Sequence, residues 1–144
     1  MSTDDSLCLI PSARYVLSPS KLRRVFAFVP AHLADEINVN TLASIARLSR
    51  YHFSRVFART VGMSPYAYVV VCRIEMAMTL LCDPDLTLSD IATLTGFKSV
   101  AQLSAMFRRQ TGVSSSKYRV GLLDARPAAA VQRQHSTSYD QIAA

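Results

Sequence analysis

The sequence predicts an all-α fold: two helix-turn-helix subdomains joined by a long linker helix. Three observations carry this expectation. Apolar side chains recur at helical spacing in successive short runs, not in the period of two that marks a strand. Half the residues are apolar but only 4 of 144 are Gly, which disfavours both disorder throughout and a many-turned β architecture. A set of residues also returns about fifty positions later: Ser49, Ser54, Phe57, Arg59, Gly62, Ser64 and Tyr68 come back as Ser99, Ser104, Phe107, Arg109, Gly112, Ser114 and Tyr118.

Residues 1–20 are rich in Ser, Pro and Asp with only short apolar pieces, and read as an irregular arm. Residues 21–64 form the expected first subdomain. In it Leu22, Val25, Phe26, Val29, Leu33 and Ile37 follow a helical pattern that Pro30 interrupts, so a kink or break is expected near Val29. Asn38 is placed to cap a short helix through Val39, Leu42, Ala43 and Ala46, ending near Arg47. The stretch Leu48–Pro65 follows almost at once. On a helix begun at Ser49, it turns Phe53, Val56, Phe57 and Thr60 to one side and Tyr51, Ser54, Arg55, Ala58 and Arg59 to the other. Gly62 suits the left-handed residue that closes such a helix, and Ser64 with Pro65 opens the next.

The linker, residues 65–82, is apolar nearly all round with Arg73 and Glu75 as its only charges, so it must be covered on several sides. Arg73 and Glu75 read as structural, and Met76, Met78 and Met106 as core packing. Asp83, Pro84 and Asp85 end the helix. Residues 83–119 then repeat the first subdomain. Before the turn the shift is 49, so that Val39, Leu42 and Ala43 return as Leu88, Ile91 and Ala92. Thr87 with Asp90, and Ser99 with Gln102, have the spacing of capping boxes. Residues 120–144 have the composition of a disordered tail.

Two short helices in a tight turn can present the second to a DNA major groove, although a purely structural αα-hairpin has the same periodicity. Charge separates the two readings. The chain carries a net +6, and from Lys21 to Arg119 there are thirteen Lys or Arg against six Asp or Glu, a surplus that suits an anionic partner. The outer face of the Leu48–Pro65 stretch has no acid, and its guanidinium forks, phenol and hydroxyl suit phosphates and base edges. Cys8, Cys72 and Cys82 form no metal-binding pattern, and Cys72 and Cys82 read as small helix residues. No Ser/His/Asp set, carboxylate pair or glycine-rich phosphate loop is present, and His52 reads as a capping or core contact, so an enzyme, a cofactor and a metal are not expected. Neither a membrane helix nor a leader is apparent, and a cytoplasmic location is expected.

Across residues 22–119 the chain resembles the AraC/XylS family of bacterial transcription regulators. The resemblance rests on an ordered set: Leu42-Ala43, Leu48-Ser49, His52-Phe53-Ser54-Arg55, Phe57, Gly62, Ser64-Pro65, Arg73-Ile74-Glu75, Ile91-Ala92, Gly96-Phe97, Phe107-Arg108-Arg109 and Tyr118-Arg119. It implies a regulator of double-stranded DNA, expected to activate and to recruit RNA polymerase, whose single chain reads two adjacent major-groove segments as a monomer. By the family pattern Arg50, Tyr51, Ser54, Arg55 and Arg59 line the first DNA-reading surface, and Val100, Ala101, Gln102, Ser104 and Ala105 the second. The base readers are then Arg50, Tyr51, Ser54 and Arg55 with Gln102 and Ser104, Gln102 being divided between a base edge and its capping box. Arg59, Lys98, Arg108, Arg109, Lys117 and Arg119 are the expected phosphate contacts.

The chain departs from the family pattern at three places. Ala105 stands where the second unit usually carries an Arg, so the first unit should dominate sequence reading; Ser115 stands where the first unit has Pro65; and Pro30 is unusual in the first helix. Some DNA-alkylation-response regulators join this type of region to a cysteine-based zinc site, which needs clustered thiolates ahead of the first helix, where Cys8 stands alone. About twenty residues precede the match, too few for a separate effector domain, so the chain reads as a short stand-alone member or as the DNA-binding part of a larger effector-responsive regulator. The other alternative is a helical module that binds acidic protein partners.

Overall fold

The structure is a computed structural model that describes residues 16–124; Cys8, most of the expected arm and the greater part of the expected tail lie outside the described residues. Among these residues there are seven helices and no strand: α1 (Pro19–Ala31), α2 (Val39–Ile45), α3 (Arg50–Val61), α4 (Pro65–Leu80), α5 (Leu88–Leu94), α6 (Val100–Thr111) and α7 (Ser115–Asp124).

Pro30 lies in the last turn of α1, and the helix stops one residue after it. Proline supplies no N–H and crowds the preceding turn, so the expected break falls two residues beyond Val29. Leu33 and Ile37, which continue the helical pattern in the sequence, reach the core from the following loop instead. The end of α1 is closed locally by the His32 N–H, which donates to the Val29 carbonyl at 3.1 Å, and by His32 Nδ1, which donates to the Phe28 carbonyl at 2.9 Å. Ahead of α1, Leu17 is a core residue, and its N–H donates to Thr60 Oγ1 of α3 at 2.8 Å. The chain there has no regular secondary structure but is pinned to α3, and α1 is already under way at Pro19, inside the expected arm.

Each later helix begins on a side-chain cap. Asn38, Ser49, Ser64, Thr87 and Ser99 accept the N–H groups of Thr41, His52, Ala67, Asp90 and Gln102, which satisfies donors that a helix start leaves unpaired. Gly62 closes α3 at φ 85°. Ser115 starts α7 without a proline, helped by Ser114 Oγ, which accepts the Lys117 N–H at 3.2 Å. The helix runs on to Asp124, so the boundary expected at residue 120 falls inside it.

Two hydrophobic clusters share α4. Tyr68, Val69 and Cys72 pack with α1, α2 and α3; Val70, Ile74, Ala77, Met78 and Leu81 pack with α5 and α6. At about 100° per residue these two sets point to opposite sides of the helix, which is why α4 is apolar nearly all round. Met76 lies outside both clusters and is exposed, unlike the expected core packing, and Cys82 follows the end of α4 and is also exposed. The repeat is visible in the packing. Phe57 meets Tyr68 at 5.7 Å between ring centroids, and Phe107 meets Tyr118 at 5.4 Å.

Candidate nucleic-acid interface

The two helix-turn-helix turns are built alike. In the first the Leu48 N–H donates to the Ala43 carbonyl, in the second the Phe97 N–H to the Ala92 carbonyl, each at 2.9 Å. A residue of positive φ precedes each donor, Arg47 at 55° and Gly96 at 79°. The second turn holds one extra residue, Lys98, between Phe97 and the cap Ser99, which accounts for the change of shift from 49 to 50. These turns fix which face of α3 and of α6 is buried. Phe53, Val56, Phe57 and Val61 anchor α3, and Leu103 and Phe107 anchor α6.

Arg50, Tyr51, Arg55 and Arg59 are exposed on α3, and Ser54 is half-buried with its hydroxyl donating to the Arg50 carbonyl at 2.9 Å. Tyr51 is 71% exposed, high for a residue of its size. Arg55 Nη1 donates to the Tyr51 hydroxyl at 3.0 Å, and Arg55 Cζ lies 5.5 Å from the centroid of the Tyr51 ring. The pair, one helical turn apart, holds a guanidinium fork clear of the helix without an acidic partner between them. His52 is exposed beside this face and not a core contact.

The outward face of α6 is poorer. Ala101 and Ala105 are exposed, and Val100, Gln102 and Ser104 are half-buried. Gln102 Oε1 accepts the Lys98 N–H at 2.8 Å, one residue before the N–H that a capping box would use. The carbonyl end of Gln102 is thereby engaged at the helix start. Lys98, Arg108, Arg109 and Lys117 are exposed.

Arg119 departs from the expected phosphate set. It is half-buried and turned inward: Nε donates to the Leu81 carbonyl at 3.2 Å, and Nη2 to the carbonyls of Leu86 at 2.7 Å and Asp83 at 3.4 Å. These acceptors lie at the end of α4 and in the loop beyond it, so the guanidinium closes backbone that has no helix to satisfy it. Arg73 does the same for the loop after α1. A lone Arg within an apolar helix is the sequence signal for such a role. Tyr66, exposed beside Arg73, is a further polar group that the sequence pattern did not single out.

Burial pushes the Cys72 thiol up to about 11, so it stays protonated and inert at neutral pH. No group of three or more His, Cys, Asp or Glu that could hold a metal occurs among the described residues, and none of their helices is long and apolar enough to cross a membrane.

Residues 42–120 match a protein family described as a helix-turn-helix domain. A probable transcriptional regulator from Photobacterium leiognathi, LumQ, is 31% identical over 117 residues, covering 78% of this chain and 47% of its own. The regulatory protein PocR of Salmonella typhimurium is 32% identical over 100 residues, 69% of this chain and 33% of its own. The chain thus spans about half or less of the length of these relatives. Among solved structures, the DNA-binding domain of the global transcriptional factor AdpA in complex with a target DNA superposes with a TM-score of 0.69 at 34% identity, covering 75% of this chain and 97% of that one.

Proposed function

This chain belongs to the AraC-type helix-turn-helix family, and from that premise we propose that it regulates transcription by reading two adjacent major-groove segments of double-stranded DNA with α3 and α6. The observation that carries the reading is the outer face of α3. Arg50, Tyr51, Arg55 and Arg59 are exposed along it, opposite an anchored apolar face. A helix so held can enter a major groove with its forks directed at base edges and phosphates. The likeness to the AdpA domain, crystallised on a target DNA, supports the same class of partner.

The division of labour between the helices follows from side-chain chemistry. A bidentate Arg on guanine discriminates by about 1 to 3 kcal/mol; Arg55 supplies such a fork and Ala105, at the matching place in α6, does not. We therefore assign sequence reading chiefly to Arg50, Tyr51, Ser54 and Arg55. Ser104 and the free amide end of Gln102 are assigned a minor share, and Arg59, Lys98, Arg108, Arg109 and Lys117 the phosphates. Binding as a monomer, a cytoplasmic location, activation and recruitment of RNA polymerase are proposed on the family resemblance, and the activity proposed is binding rather than catalysis.

The test is selection from a random-duplex pool with the purified chain, followed by affinity measurements on the selected site and on random DNA. An asymmetric site, sharp in one half and loose about one helical turn away, is expected. Arg55→Ala should lose about ten-fold or more on the selected site and much less on random DNA, while Arg108→Ala should lose similar amounts on both. Equal losses for Arg55→Ala on the two duplexes would sink the division of labour. A palindromic site would indicate a dimer on DNA, and no enrichment would favour binding to an acidic protein partner.

A further inference from the structure

Arg73 leaves α4 on the seam between its two buried faces. Its Nε donates to the Leu33 carbonyl at 3.3 Å and its Nη2 to the Asp35 carbonyl at 3.0 Å, both in the loop after α1 and so in the first unit. The same guanidinium lies over the ring of Phe97, with Cζ 6.0 Å from the centroid, and Phe97 belongs to the core of the second unit. One guanidinium therefore reaches both units, with two N–H groups on carbonyls of the first and its central carbon over an aromatic ring of the second. A lysine ammonium, a single point charge, lacks the fork that spans the two carbonyls.

Gly96 completes the arrangement. A Cβ at this position would run into the Leu33 carbonyl oxygen and stand 2.9 Å from Arg73 Nη2 and 3.0 Å from Arg73 Cζ. The matching residue of the first turn, Arg47, has a positive φ of 55° and carries a full, exposed side chain. Backbone conformation alone thus does not dictate glycine at Gly96; the close approach of the first unit's backbone does. Arg73, Gly96 and Asp35 also line a cleft of about 560 Å³ between the units, with Arg50 on one side and Lys98 and Gln102 on the other.

From these contacts we infer that Arg73 and Gly96 form a clamp that fixes the angle and separation of the two helix-turn-helix units, and with them the spacing of the two DNA segments the chain accepts. Arg73 is a positioning residue, acting through the orientation of α3 and α6. The inference rests on the two-segment reading proposed above. A rigid clamp makes spacing a strict requirement, because each inserted base pair moves the second segment by about 3.4 Å and turns it by about 35°.

The experiment uses the whole chain and a series of duplexes that carry the selected site with no, one or two base pairs inserted between its halves, plus one with the second half scrambled. The wild-type protein should lose as much affinity on the first inserted pair as on scrambling the second half, since phosphates recur along the duplex and only the second unit's base contacts are lost. Arg73→Gln should bind the uninserted site more weakly yet lose less than about half of that on insertion, and Arg73→Lys and Gly96→Ala should behave alike. A variant that is only less stable would bind every duplex more weakly and keep the wild-type spacing profile, and that result overturns the clamp. If the wild-type protein ignores both insertion and scrambling, the two-segment reading fails, and the clamp is judged without DNA. Backbone ¹⁵N relaxation should then fit one rotational diffusion tensor for the wild-type protein and two for Arg73→Gln; one shared tensor in both overturns it.

Discussion

Arginines in this chain divide by what their immediate surroundings leave unsatisfied. Arg119 and Arg73 stand near helix ends whose carbonyls lack backbone donors of their own, and both turn inward to donate to them. Arg55 has only a tyrosine within reach and remains exposed. The two groups cannot be separated by residue type, since Arg119 closes the family's own Tyr118-Arg119 pair and follows the exposed Lys117. Its acceptors are 33 to 38 residues away in sequence, beyond any local pattern. The expected outcome of Arg119→Ala is therefore a loss of about 2 kcal/mol of stability in urea unfolding, the size of a few hydrogen bonds from a charged donor after screening. The salt dependence of DNA binding should stay unchanged. A smaller salt slope with unaltered stability would return Arg119 to the phosphate set.

Helix starts were far more legible than helix ends. Asn38, Ser64, Thr87 and Ser99 all cap the helix starts expected of them, and Ser49 caps α3 in the same way, because a cap is a contact between residues three apart. The Thr87–Asp90 box is complete: the Asp90 carboxylate accepts the Thr87 N–H and hydroxyl, which hold its pKa below the ordinary carboxylate value. Thr87→Ala should cost about 1 kcal/mol, measurable by urea unfolding at neutral pH. Since the folded-state value is the lower one, the stabilisation from Asp90 is complete above the usual carboxylate range and disappears as pH falls through the lowered value. The difference between wild type and Thr87→Ala should narrow in acid. Ends were harder because they depend on what the chain meets next. The pattern of α1 continues through Leu33 and Ile37, yet those side chains reach the core from a loop. In the second turn the Gln102 side chain accepts the Lys98 N–H rather than that of Ser99, a partner that the Ser99–Gln102 spacing alone does not reveal.

At the scale of the molecule, two small cores are fastened to opposite sides of one helix, so that neither unit is complete without α4. The exposed Arg and Lys of both units should act together on phosphates. Log affinity is accordingly expected to fall linearly with log salt, at a slope of about 0.9 per phosphate neutralised, and Arg108→Ala should reduce that slope by about one contact. Affinity independent of salt would remove the electrostatic half of the proposal. Helical period, caps and the fifty-residue repeat are relations between near neighbours or between two copies of one pattern, and the sequence by itself determined from them the all-α class, the doubled helix-turn-helix and the outward face of α3. Only the tertiary structure decided that Leu17 joins the core, that Arg119 serves backbone carbonyls, and that Arg73 and Gly96 meet Leu33 across the two units. Each of those contacts joins residues at least 33 apart, and no spacing rule encodes where the folded chain brings them.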